Sequence, residues 1–165
     1  MDKIRVLLVD DHPVVRAGLA VAVVRDPALE VVGEAGDGIE ALQMVSELMP
    51  DVVLMDLRLP KLDGIQATRE IRNTHPTVAV IILSAFDDDA YVAQAKSAGA
   101  GGYLVKDAPG ALICHTIKAV HRGEAPRVPS LDHPHRQKAA PDTDLYHHYE
   151  AQPLQHRHSL PPREM

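Results

Sequence analysis

Apolar and polar positions alternate on two length scales along the first 122 residues. Short, near-continuous apolar runs occupy 4–9, 30–35, 52–55, 78–83 and 102–105. Runs of this kind suit strands covered on both faces, as in a parallel sheet. Between them the apolar residues recur every three or four positions, which marks helices. Val14, Val15, Leu19, Ala22 and Val23 share one face. Ile39, Leu42 and Val45 share a second, and Ile65, Thr68 and Ile71 a third. Val92, Ala95 and Ala98 make a weaker stripe, and Ile113, Ile117 and Val120 the last. Pro13 suits a first helical turn, and Asp87, Asp88 and Asp89 place negative charge where a helix dipole favours it. Gly99 and Gly123 fit helix ends.

Five strands alternating with five helices predict an α/β fold, a doubly wound parallel sheet with helices on both faces. Crossovers should be right-handed. The pattern stops near Gly123. Residues 123–165 hold seven of the thirteen prolines and six of the ten histidines, with neither a helical nor a strand period. They read as a linker or tail, mostly disordered. His147, His148, His156 and His158 match no common zinc spacing, and a solvated linker is the better reading.

Composition narrows the class. Hydrophobic residues form 45% of the chain but aromatics only 3%, so Val, Leu, Ile, Ala and Met must build the core. The net charge of −6, with no Lys/Arg cluster, gives no electrostatic footprint for nucleic acid. The single Cys114 excludes an internal disulfide. No run approaches the ~18 apolar residues of a membrane span. A cytoplasmic protein is the expectation.

In a doubly wound sheet the working site lies beyond the carboxyl ends of the strands. Those ends carry Asp10 and Asp11, Asp56, Ser84 and Lys106. Each alone has a structural explanation: an Asp caps turns, a Ser bonds nearby backbone, a Lys is solvated. Together on four of five strand tips they describe a chemistry. Clustered carboxylates repel unless a cation sits among them, and Mg²⁺ accepts a site of one or two carboxylates plus waters. A lysine ammonium and a serine hydroxyl complement incoming phosphoryl oxygens. Phosphoryl transfer needs this positioning and charge neutralisation, and a carboxylate can be its nucleophile. Asp56, the lone acid on the central strand, is the best candidate. A flavin carrier would want a phosphate-cradling loop where Asp10 and Asp11 stand. A haloacid-type hydrolase would want a second acid two residues after Asp56, where Arg58 stands.

The motifs Val9-Asp10-Asp11-His12-Pro13, Leu54-Met55-Asp56-Leu57-Arg58-Leu59-Pro60, Leu62-Asp63-Gly64, Leu83-Ser84-Ala85 and Gly102-Tyr103-Leu104-Val105-Lys106-Asp107 jointly resemble a response-regulator receiver domain, over about residues 3–122. The resemblance implies a flavodoxin-like (βα)5 sheet of order 2-1-3-4-5. It also implies Asp56 as phosphoacceptor for a sensor histidine kinase. Asp11 and Asp56 would be direct Mg²⁺ ligands, the Arg58 carbonyl a third, and Asp10 would act through a water. Ser84 and Lys106 would sense the phosphate, and Tyr103 would be the aromatic switch whose ring moves inward. The chain would be no enzyme beyond its own phosphorylation and dephosphorylation. Asp107 replaces the proline common after the lysine, which leaves the Lys106–Asp107 isomer open.

Asp11-His12-Pro13-Val14-Val15-Arg16-Ala17-Gly18-Leu19 resembles the NarL/FixJ subfamily, whose members usually carry a LuxR-type helix-turn-helix. Ser159 to Met165 resemble the opening of that domain. The expectation is a receiver at 1–122 and a tail at 123–165 that stops at the helix-turn-helix start. DNA would be reached only through that missing part, with homodimerisation on phosphorylation as the family output. The alternative is a stand-alone receiver that docks another protein without DNA output.

Overall fold

The computed structural model describes residues 2–85 and 88–124. The expected tail beyond Glu124, with its histidines and its helix-turn-helix remnant, lies outside these residues, as do Phe86 and Asp87.

Strands β1 (Ile4–Val9), β2 (Leu29–Ala35), β3 (Val52–Asp56), β4 (Ala79–Ser84) and β5 (Gly102–Val105) alternate with helices α1 (Pro13–Val24), α2 (Gly38–Leu48), α3 (Gly64–Thr74), α4 (Asp89–Ser97) and α5 (Gly110–His121). All four strand pairings are parallel, in the order β2-β1-β3-β4-β5. This is the flavodoxin-like receiver fold. Every residue of the central strand β3 is buried, which accounts for its unbroken apolar run up to Asp56.

Alternation along the strands sorts the core into two layers. Leu7, Val9, Val53, Met55, Val80, Ile82 and Tyr103 pack with residues of α2, α3 and α4. Val6, Leu8, Leu54, Ile81, Leu83 and Leu104 pack with α1 and α5. Full burial of one such Leu or Ile stabilises the fold by roughly 1.5–3 kcal/mol, so the sheet is a rigid platform for its loops. Helix starts follow the sequence chemistry. Pro13 opens α1, and Asp37, Asp63 and Asp88 each cap a helix by accepting a backbone N–H. Gly99 takes φ +97° just past Ala98, the C-cap of α4, a conformation in which a side chain is strained.

Two expected faces need correction. Val14 and Ile39 were grouped with core stripes, yet Val14 is 85% exposed and Ile39 is also exposed. Helix α1 is apolar nearly all round, so periodicity alone cannot choose its inner face; Leu19 and Val23 make it. In α2 the small Gly38 and Ala41 turn inward with Val45 instead of Ile39. The Lys106–Asp107 peptide is trans, since the described chain contains no cis bond.

Candidate functional site

The parallel register carries four polar strand ends to one edge. Asp10 follows β1, whose Val9 lies beside Met55 of β3. Asp56 closes β3 and pairs with Leu83, and Ser84 pairs with Val105 just before Lys106. Backbone bonds knit these ends: Leu57 N–H donates to Leu83 O at 3.0 Å, and Lys106 N–H to Ser84 O at 2.8 Å. The chain leaves β3 through a tight loop. Gly64 N–H returns to Leu57 O at 2.9 Å, and a Cβ on Gly64 would stand 2.0 Å from the Asp56 carbonyl oxygen. Asp63-Gly64 is therefore structural, and it holds the backbone of Asp56 in place.

The expected site residues Asp10, Asp11, Asp56, Ser84 and Lys106 gather at this edge. Asp10, Asp56 and Ser84 are buried, whereas Asp11 keeps a third of its side chain in solvent. Lys106 Nζ stands 2.8 Å from Asp10 Oδ2 and 3.1 Å from Asp56 Oδ2. Burial, reinforced by the Asp10 charge, pushes the Asp56 carboxyl up to about 6, against the pull of Lys106. Burial alone would lower Lys106, but its hydrogen bond to Asp10 and the Asp56 and Asp10 charges outweigh it, so its pKa rises. The ammonium is thus held charged between two carboxylates. At neutral pH Asp56 is mostly ionised and at odds with its neighbours.

One ammonium does not balance three carboxylates. Single ligand atoms of Asp10, Asp11, His12 and Asp56 all lie within 4.8 Å of one another, a donor set that could hold a metal ion. Oxygen donors with excess negative charge fit a hard divalent cation such as Mg²⁺. Both oxygens of Asp10 are already used: Oδ2 accepts from Lys106 and Oδ1 accepts the His12 N–H at 2.8 Å. Asp56 is engaged in the same way, its Oδ2 with Lys106 and its Oδ1 with the Arg58 N–H, and Asp11 Oδ1 lies 3.0 Å from His12 Nδ1.

Arg58 donates its backbone N–H to Asp56 Oδ1 at 3.4 Å, and its guanidinium reaches Tyr91 Oη at 3.5 Å. Tyr103 departs from a half-buried strand tyrosine: it is 0% exposed, its ring already inside the layer with Val92 and Ala95. Two residues at this edge had no role in the sequence reading. His12 Nδ1 lies 3.2 Å from Asp10 and 3.0 Å from Asp11. Arg16 donates to the Asp10 carbonyl at 2.6 Å and anchors the β1–α1 turn. His12 was visible as the next residue of the acidic motif. Arg16 carried no signal, because its partner is a backbone oxygen.

A doubly wound sheet with an acid-and-lysine pocket at its carboxyl edge is the arrangement of a receiver-type signalling module. The response regulator receiver domain model matches residues 6–118, and the chain belongs to that family. Receiver domains of this family are signalling modules of two-component systems. It is 46% identical to the transcriptional regulatory protein LiaR of Bacillus subtilis, over 73% of this chain and 57% of LiaR. It is 36% identical to DegU of Brevibacillus brevis, over 80% of this chain and 56% of DegU. Among solved structures, the receiver domain of the response regulator NarL from Mycobacterium tuberculosis superposes with TM-score 0.73 at 37% identity. That match covers 75% of this chain and all of that one. The chain spans little more than half the length of the curated relatives it matches. No helix among the described residues is long and apolar enough to cross a membrane.

Proposed function

We propose that the chain accepts a phosphoryl group on Asp56 from the phosphohistidine of a sensor histidine kinase. The buried Asp56 carboxylate, one of its oxygens 3.1 Å from Lys106, carries this reading. A carboxylate oxygen of Asp56 attacks phosphorus as the phosphorus–nitrogen bond breaks. An acyl phosphate forms, and the leaving imidazole nitrogen keeps the bonding pair and takes up a proton. Lys106 turns from Asp56 toward a phosphoryl oxygen. Ser84, across the β3–β4 seam, donates its hydroxyl to another. Asp11, Asp56 and the Arg58 carbonyl would hold Mg²⁺ directly and Asp10 through a water, and the ion when bound neutralises phosphoryl charge.

Tyr103 is the switch residue of this proposal. Its ring is buried in the layer beneath α4, and phosphorylation would hold that arrangement as Ser84 is drawn toward the phosphate. The receiver takes residues 1–122, with 123–165 as a linker, in a cytoplasmic protein that catalyses only its own phosphorylation and dephosphorylation. Relatives named as transcriptional regulators support an output at promoters through a helix-turn-helix and phosphorylation-linked homodimerisation. Incubation with acetyl phosphate and Mg²⁺ followed by intact mass tests the site. An adduct of about 80 daltons that disappears in Asp56→Ala is expected. An adduct equally abundant in that variant would overturn the assignment.

A further inference from the structure

His12 stands at the N-cap of α1, a place usually filled by a residue whose side chain accepts a helix N–H. Its ring makes no such bond. It turns back to the acids instead: Nδ1 lies 3.0 Å from Asp11 Oδ1 and 3.2 Å from Asp10 Oδ1. Lys106 bonds Oδ2 of Asp10 and Oδ2 of Asp56. Asp10 thus gives one oxygen to the ammonium and the other to His12. That second oxygen also accepts the His12 N–H at 2.8 Å, which uses one of its lone pairs and leaves another. Two donors that share an ion, each about 2.1 Å from it, stand about 3.0–3.4 Å apart. The spacing of the three side-chain atoms falls in that range, on one short turn. Arg16 holds the turn through the Asp10 carbonyl at 2.6 Å. The His12 side chain is 66% exposed, so an ion can reach it from solvent.

The geometry points to His12 Nδ1 as a direct ligand, beside Asp10 and Asp11, for a divalent transition ion of the zinc class that competes with Mg²⁺ for this pocket. The inference rests on the Mg²⁺ reading of the acidic edge and adds a second ion to it. Ligand chemistry separates the two. Mg²⁺ is hard, takes oxygen and keeps several waters, so it gains little from an imidazole. Zinc and its neighbours bind imidazole well. Two carboxylates and one neutral ring nitrogen, with the remaining positions left to water, make an open site for such an ion. The ring adds a donor without adding negative charge to an already crowded pocket. Both ions draw on Asp11, so one excludes the other. A zinc-class ion on His12 therefore gates the pocket: it must leave before Mg²⁺ can serve Asp56.

The test uses the full chain with Zn²⁺ and Mg²⁺ as probes. The histidines at 133, 135, 147, 148, 156 and 158 are changed to glutamine in every sample, so that none competes for zinc. In nitrogen NMR of the remaining histidine rings, Zn²⁺ should shift the Nδ1 resonance of His12, identified by its loss in His12→Ala. Excess Mg²⁺ should return that resonance to its starting position. Isothermal titration should show the preference for Zn²⁺ over Mg²⁺ falling at least about tenfold in His12→Ala, with circular dichroism unchanged. Equal losses for both ions would make His12 a support for the acids and no ligand, and would overturn the proposal. A His12 ring that zinc leaves unmoved, or a shift that excess Mg²⁺ does not reverse, would overturn it as well. The ring measurement needs no phosphodonor. A missing Asp56 adduct beside these metal results would therefore strike only the phosphoacceptor reading.

Discussion

The two ends of the sheet spend their charged residues differently. At the amino end, Arg5 donates to the Leu48 and Met49 carbonyls at 2.7 and 2.9 Å, and Arg72 to those of Pro76 and Val78 at 2.6 and 2.8 Å. Asp51 accepts the Arg5 N–H at 2.9 Å. These groups close loops onto the sheet and are satisfied where they stand. At the carboxyl end Asp10, Asp11 and Asp56 crowd one ammonium, and burial has pushed Asp56 well above an ordinary carboxylate. One end is finished and the other is held in electrostatic conflict that an incoming cation and phosphoryl group would relieve. Conflict of that kind marks function, because a purely structural end gains nothing from it.

The comparison is broken most sharply at Lys106. Replacing it by Ala leaves the carboxylates uncompensated and removes the donor for a phosphoryl oxygen. Phosphoryl uptake from acetyl phosphate should fall roughly 10²–10³-fold, read as the initial rate of adduct formation, while the chain stays folded. Gly64→Ala comes next. The added methyl would press into the Asp56 backbone, and rigid backbone yields less easily than a side-chain tip. Chemical denaturation should show a loss of about 3 kcal/mol, with uptake reduced as well because Asp56 shifts. The amino end should respond in stability alone. Arg72→Ala leaves the part-buried Val78 carbonyl without its donor and should cost about 1 kcal/mol, with the rate of adduct formation in folded protein unchanged. A rate defect in that variant would mean the two ends are coupled, and the contrast would fail.

The sequence displays the carboxyl end more clearly than the helix faces. Asp56 is the lone acid after a fully apolar strand, and Ser84 and Lys106 close two more, so strand periodicity alone locates them. Boundaries moved by a residue: β2 begins at Leu29 and β4 at Ala79. Helix α3 was legible because its outward positions are polar and its inward ones, Ile65, Thr68 and Ile71, are not. Helix α1 was not, because Val14, Val21 and Val24 look like core residues to any periodicity argument. The burial of Tyr103 depends on the volume left between α4 and the sheet, which no local pattern encodes. The Arg16 anchor on Asp10 is a bond to backbone, and backbone acceptors are the same at every position.

The smallest expected effect is the dependence of stability on pH, and its sign separates Asp56 from the capping and paired carboxylates elsewhere in the fold. Asp56 titrates near its ordinary value in the unfolded chain and at about 6 in the folded one. Between roughly pH 4 and 6 the folded chain therefore binds more protons at this site, and stability falls as pH rises. The contribution is fully present below the unfolded value and gone once pH has passed the folded one. Asp26 and Asp37 act oppositely. A hydrogen bond from Lys118 lowers the first, and the Glu40 N–H that Asp37 caps lowers the second. Their contribution is present above the ordinary carboxylate range and is lost as pH falls below it. The Asp56 share must accordingly be read as wild type minus Asp56→Asn, by urea denaturation with chelator present. That difference should decline by about 1 kcal/mol from pH 4 to pH 6.5, a shift of two units discounted for a partly wet, lysine-paired site. Added Mg²⁺ should reverse the decline at the upper end, where the carboxylates are ionised, and should do little at pH 4. A flat difference without metal would mean that Asp56 is already comfortable as an anion, and the contrast between the two ends of the sheet would lose its electrostatic basis.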